Sequence, residues 1–223
     1  MMTNSFSLIV KSFPLFLKGM TVTLELFILA SVLSIIVGIL LGILSCERLK
    51  IPIITKLING WTFISRAVPF YVQLLIIYFV IPDLFGFSLC PFAASITALG
   101  ICSSGYVAQF IRGAINTLPS SHWETASVLG YSKWQILFEI ILPQSLRLAL
   151  PSLNNEFESL LKSTAIASSI GMLELTRVGM NIVSREMEPV PIYLAIAVLY
   201  GSLSAILNVW TKRLEKRFSY VKY

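Results

Sequence analysis

Long runs without charge constrain this chain more than any other feature. Residues 24–44 hold one charge, Glu25, near the start of the run, and residues 68–81 and 192–210 hold none. A helix crosses the hydrocarbon core of a bilayer with roughly 20 mostly apolar residues, and several windows here qualify. Composition points the same way: 56% of the 223 residues are hydrophobic and 13% charged, where a soluble domain carries about a quarter charged residues. The chain reads as an all-α membrane protein. Its first run is longer than a signal-peptide core, begins well into the chain and lacks a small-x-small cleavage site, so it is expected to be retained as a span.

Five spans are expected, at about 19–45, 57–81, 91–113, 146–170 and 190–211. The net charge of +6 raises the question of nucleic acid, but its distribution argues for a membrane surface. After the last run, Lys212, Arg213, Lys216, Arg217 and Lys222 stand against Glu215 alone, a cluster that holds the C-terminus in the cytoplasm. With five spans the N-terminus is then outside. The first inner loop, with Arg48, Lys50 and Lys56 against Glu47, fits this orientation, as does the outer segment 171–189, with Glu174, Glu186 and Glu188 against Arg177 and Arg185. Lys11 and Lys18 run against it. Gly38 and Gly42 form a GxxxG, which lets a neighbouring helix approach closely and says nothing of function. Cys46, Cys90 and Cys102 form no CxxC pair, and with the single His122 they offer no metal-ligand spacing. They are expected to be free thiols buried in membrane helices.

The fourth span carries the most information. At 100° per residue, Asn155, Glu156, Glu158, Ser159, Lys162 and Ser163 share one face, with Leu153, Phe157, Leu160, Leu161 and Thr164 opposite. Each charge turned to lipid would cost about 2.5–3.5 kcal/mol, so the polar face must meet protein or a water-filled cavity. Pro151 is expected to bend this helix. Intramembrane ionisable groups point to a substrate pathway. Glu158 and Lys162, at i, i+4 with the acid first, also suit a plain intrahelical pair.

Residues 113–144 between the third and fourth spans are too many for a turn. Ser121-x-x-Glu124 reads as a capping box, and a short helix over about 122–129 stops at Gly130. A second helix, at about 132–141, runs to Pro143. Trp123, Val128, Leu129, Tyr131 and Trp134 are then exposed unless a partner covers them.

Glu124-Thr125-Ala126, three residues, Gly130, nine residues and Ile140-Ile141-Leu142-Pro143 resemble the cytoplasmic signature of ATP-binding-cassette (ABC) importer permeases, with Thr125 as the one departure. The likeness extends to the polar amino acid branch of that family. Arg66-Ala67-Val68-Pro69-Phe70-Tyr71-Val72-Gln73 is similar to its R-G-T-P-x-x-x-Q segment, with Ala67-Val68 for Gly-Thr. The stretch from Gly105-Tyr106 to Arg112-Gly113-Ala114-Ile115 matches its A-Y-x-A-E-x-x-R-G-A-I, with Gln109 for the acid. Leu142-Pro143-Gln144-Ser145-Leu146-Arg147 and Leu160-Leu161-Lys162-Ser163-Thr164 resemble its LPQALR and LLKxTSL. The likeness covers about residues 19–200.

The resemblance implies a type I importer permease, multi-pass in the bacterial inner membrane. Residues 19–211 form the permease domain, residues 113–145 its coupling loop and residues 212–223 a basic cytoplasmic tail. Glu124, Ala126, Gly130 and Pro143 are the implied coupling residues, set in a groove of a separate ATPase. Glu124 has two readings, partner contact and cap. The implied partners are ATPase subunits, a second permease copy or sister chain, an extracytoplasmic solute-binding protein and a polar amino acid of the arginine, glutamine or histidine class. Pro69, Gln73, Asn155, Glu156, Ser159, Lys162 and Ser163 are the candidate pathway residues. Arg66 and Arg112 are expected at the cytoplasmic side, snorkelling or touching the loop. The sequence holds no GxxxxGK[ST] and no nucleophile with an adjacent base, so no catalytic set is expected and ATP and Mg are bound by the ATPase. The alternative is a stand-alone secondary transporter or channel, against which the absence of a repeat between the halves counts.

Overall fold

The computed structural model describes residues 2–49 and 51–219; Lys50 and Lys222, counted above among the basic residues, lie outside them. The described chain is helical throughout. Its elements are α1 (Met2–Leu44), α2 (Pro52–Ala67), α3 (Phe70–Leu75), α4 (Ile81–Phe85), α5 (Pro91–Thr117), α6 (Ser120–Val128), α7 (Lys133–Gln135), α8 (Leu142–Ser163), α9 (Leu175–Glu186) and α10 (Pro189–Ser219). Four continuous helices are long and apolar enough to cross a membrane, Ser7–Leu44, Pro91–Thr117, Lys133–Ile170 and Pro189–Arg217; the pair Pro52–Ala67 and Phe70–Phe85 makes a fifth if its break is spanned. α1 has 43 residues, about 65 Å at 1.5 Å per residue, against a core of about 30 Å.

Two expected spans differ from the observed ones. The second, 57–81, is interrupted: α2 ends at Ala67, and Val68 is extended at φ −85°, ψ 130°. Steric clash with the Pro69 ring pushes the preceding residue out of the helical region, and Pro69 has no N–H to carry the ladder on. Conversely, the gap expected between the loop helix and the fourth span is absent, because Lys133–Ile170 runs as one helix through Pro143 and Pro151. A π-helical turn over Ile136–Ile141 ends two residues before Pro143, and another over Ile76–Val80 ends two residues before Pro82. The wider turn opens the ladder where a proline ring would otherwise crowd the preceding carbonyls.

The chain gathers into two compact units. One draws on the chain up to Val32, with Pro69–Gly100 and Glu158–Val209; the other draws on Leu33–Val68, Ile101–Phe157 and the chain from Trp210 onward. The second has one apolar core, in which Ile43, Val107, Ile111, Trp123, Leu137 and Ile141 are buried together. Its GxxxG packs as expected: a Cβ on Gly38 would stand 2.5 Å from Val107, and one on Gly42 2.8 Å from Ile111. The first unit has two cores, one around Phe16, Leu175, Ile182 and Ile192, the other around Leu74, Ala94, Ala98 and Ile170. Among the described residues the cysteines form no disulfide, but not all are helix-buried. Cys46 is buried in the turn after α1, where burial pushes its thiol pKa up, and Cys90 is exposed ahead of α5.

Candidate functional site

α6 opens after Pro119 with no side-chain cap, so the capping box expected at Ser121 and Glu124 does not form. The helix starts two residues earlier than that box requires, which places Ser121 inside the first turn rather than at its cap. The box sits instead at the next helix: Gln135 N donates to Ser132 Oγ at 3.4 Å, and Ser132 N donates to Gln135 Oε1 at 2.9 Å. Released from capping, Glu124 is exposed on α6 and lies 3.7 Å from the Arg48 guanidinium. The far end of α6 follows the sequence closely. Gly130 has φ +87°, Tyr131 N bonds Ala126 O at 3.1 Å, and Gly130 N bonds Ser127 O at 3.0 Å. This pair of bonds is the Schellman closure, which needs a left-handed residue at Gly130.

Trp123 and Ala126 turn inward and are buried on Ile136, Leu137 and Ile141, so α6 is seated on the start of the following long helix. Trp123, expected to be exposed unless a partner covers it, is covered by the chain itself, and its indole anchors the loop. Val128 (87% exposed) and Leu129 (72%) remain open, with Tyr131 and the stacked pair Trp134 and Phe138. Beside them a cavity of about 430 Å³ is lined by Arg48, Trp123, Glu124, Ser127, Val128, Lys133 and Ile136. Pro143 is exposed in the first turn of α8. Apolar surface next to two cations and an acid is the chemistry of a protein-docking surface.

The expected division of α8 is present. Leu153, Leu160, Leu161 and Thr164 are buried, Asn155, Ser159 and Lys162 are exposed, and Glu156, Glu158 and Ser163 are half-buried. Lys162 Nζ donates to Glu158 Oε1 at 2.6 Å, and Ser163 Oγ donates to Ser159 O at 2.9 Å. Pro69 is exposed at the start of α3 and Gln73 half-buried on it; their helix packs through Phe70 and Leu74 on the turn that holds Ile166 and Ile170. Arg66 Nε bonds Thr62 O at 3.0 Å on its own helix, and the Arg112 guanidinium donates to Asn59 Oδ1. Among the described residues no group of His, Cys, Asp and Glu side chains gathers to hold a metal ion.

Two polar contacts are not marked in the linear sequence. Ser34 Oγ donates to Ser103 Oγ at 2.9 Å in the second unit. In the first unit, Glu174 is fully buried and caps α9, accepting from Thr176 N, Arg177 N and Tyr200 Oη, each at 2.8 Å. Leu175 N donates to Thr23 Oγ1 at 3.1 Å beside it. Burial pushes the Glu174 carboxyl pKa up against the pull of these donors. Glutamate is not among the usual N-cap residues, and nothing in the linear chain marks Thr23 and Tyr200 as neighbours of that cap.

Residues 34–220 match the model of the family described as binding-protein-dependent transport system inner membrane component. The chain is 30% identical to the probable amino-acid permease protein YxeN of Bacillus subtilis over 98% of each chain. It is also 30% identical to the glutamine transport system permease protein GlnP of Escherichia coli K12, covering 97% of this chain and 98% of that one. Among solved structures it is similar to an amino acid ABC transporter crystallised with histidines, at TM-score 0.85 and 32% identity over 94% of this chain and 96% of that one. The MetNI methionine transporter in an inward-facing conformation shares the fold at TM-score 0.81 and 18% identity, over 93% and 98% of the two chains. With a helical membrane fold and a docking loop closed at Gly130, a family match over most of its length means that the chain belongs to the binding-protein-dependent inner membrane components, the permease subunits of ABC importers.

Proposed function

We propose that this permease subunit of an ABC-type amino-acid importer admits a polar amino acid of the arginine, glutamine or histidine class along the polar face of α8. One observation carries the reading: Asn155, Glu156, Ser159 and Lys162 stay exposed or half-buried on a membrane helix whose opposite face is buried. A charged face of that kind must meet a partner chain or water rather than lipid. Glu156 meets the α-ammonium or a cationic side chain, and Asn155 bonds a carboxylate or amide. Pro69, Gln73 and Ser163 complete the pathway.

In this reading residues 19–211 are the permease domain, with a coupling loop at 113–145 and a basic tail from 212. α6 docks on a separate ATPase through Glu124, with Ala126, Gly130 and Pro143 shaping the docked surface. A second permease, identical or sister, and an extracytoplasmic solute-binding protein complete the importer. The N-terminus lies outside and the C-terminus in the cytoplasm, as the basic end of α10, with Lys216 and Arg217, favours.

Liposomes holding the permease, its ATPase and its binding protein are expected to take up labelled arginine, glutamine or histidine only with ATP. Glu124→Ala is expected to lower the yield of co-purified ATPase. Uptake by the chain alone without ATP would overturn the reading. So would a Glu156→Ala variant with the parent rate and substrate range.

A further inference from the structure

The turn that follows α1 is fastened to the coupling loop from two directions. Cys46 is buried in the core it shares with Ile115, Trp123 and Leu137, and Leu49 packs against that core. Between them, Glu47 N donates to Asn116 Oδ1 near the end of α5, at 3.1 Å. Two backbone bonds shape the turn itself, from Cys46 N to Ile43 O and from Leu49 N to Cys46 O, at 3.2 Å each. Arg48 is therefore placed by its neighbours on both sides while its own side chain stays exposed. Its guanidinium reaches α6, 3.7 Å from the Glu124 carboxylate.

The cavity at that ion pair has a buried apolar lining and an exposed charged one. Trp123 and Ile136 are its buried part, and Val128 is open beside them. Arg48 and Lys133 line it against the single acid Glu124, so cations are in excess. The contact between Arg48 and Glu124 is longer than a hydrogen bond and lies in water, where an ion pair holds weakly and gives way to a better partner. Among the described residues Lys133 forms no ion pair. Two cations beside an apolar floor suit a carboxylate on a short aliphatic stem: its oxygens meet the cations while its methylenes cover the indole. Val128 and Leu129, apolar and exposed next to it, call for cover by a protein surface rather than by a free anion.

We infer that Arg48 and Lys133 form a carboxylate socket on the coupling surface, filled by a Glu or Asp side chain of the ATPase. Glu124 holds the Arg48 side chain in place until that group arrives. The ATPase then grips the turn between α1 and α2 as well as α6. The inference rests on the reading of α6 as the ATPase-docking helix, and adds to it a second element and the charge of the partner.

Its test is retention of the ATPase by affinity-tagged permease, the two expressed together, over washes of rising salt. Arg48→Glu is expected to lower retention about tenfold and Lys133→Glu about fivefold, since each turns attraction into repulsion. Arg48→Ala is expected to lower it about threefold and to flatten its salt dependence. Lys56→Glu reverses an equal charge on α2 outside the cavity, and is expected to stay within about twofold of the parent. Replacing each surface Asp and Glu of the ATPase by Lys in turn is expected to yield one variant that restores retention by Arg48→Glu. Parent-like retention by Arg48→Glu and Lys133→Glu, while Glu124→Ala and Val128→Asp lose the ATPase, overturns the socket and leaves α6 as the docking helix. Parent-like retention by all four overturns the docking reading and this inference with it. Equal loss by Lys56→Glu overturns the socket, and so does a loss that no ATPase variant restores. Parent-like retention by Arg48→Glu with loss of co-purified phosphatidylglycerol gives the cavity to a lipid headgroup and overturns it as well. Melting of each complex within about 2 °C of the parent separates a docking effect from misfolding.

Discussion

Glu174 and Glu156 are both acids in a chain with few charges, and their surroundings satisfy them to different degrees. Glu174 is fully buried, and two backbone N–H groups and the Tyr200 hydroxyl saturate it. Glu156 is half-buried on α8. A carboxylate offers about four acceptor sites. Glu174 has little capacity left for a ligand, whereas Glu156 keeps most of its own. Satisfaction therefore distinguishes acids that residue type does not: Glu174 ties α9 to α10 through Tyr200, with Thr23 of α1 alongside, while Glu156 is the acid we propose for the substrate.

The sharpest way to break this contrast is Glu174→Ala. It strips the acceptor from the buried Tyr200 hydroxyl and from the first turn of α9, and is expected to cost about 3 kcal/mol, read as a lower melting temperature of the purified complex. The pH dependence of melting comes next. Burial raises the Glu174 pKa, so the folded state favours its protonated form. The stability it contributes is fully present below the ordinary carboxylate pKa of about 4 and is lost as pH rises through the raised value. Melting temperature is expected to fall as pH rises from about 4 to the raised value and to level off beyond it, and Glu174→Gln to flatten the slope; an unchanged slope would detach it from Glu174. Tyr200→Phe removes one donor and is expected to cost about 1 kcal/mol in the same melts. Smallest is Glu156→Gln, expected to shift stability by no more than about 0.5 kcal/mol while weakening substrate binding. If both glutamates cost the same in melting, their division into anchor and site is wrong.

Much of the coupling loop was legible in the chain because its signals are local. Gly130 ends α6 in a left-handed conformation that its neighbours require, and a glycine there can be read without knowing the fold. The sequence does not place the capping box, because Ser121-x-x-Glu124 and Ser132-x-x-Gln135 are equally good patterns. Which one closes depends on where Pro119 starts the first helix and Ser132 the second. Hydropathy cannot tell an indole seated on Ile136 and Leu137 from one awaiting a partner, so the sequence alone does not place Trp123. The apolar pattern of α8 was right in the main, since a helical period of 3.6 fixes which residues share a face whatever surrounds them.

The sequence alone determined that this chain spans a membrane in helices, and it carried the spacing by which its family is known. Uncharged runs and motif intervals are properties of neighbouring residues, and they survive without a fold. Tertiary structure decided which polar groups are satisfied. Ser34 meets Ser103 across two helices 69 residues apart in the chain, and Thr23 meets Leu175 over 152. Hydrogen bonds act over about 3 Å, so only close packing of distant segments makes such partners. The acid that anchors and the acid that stays open look alike until that packing is known.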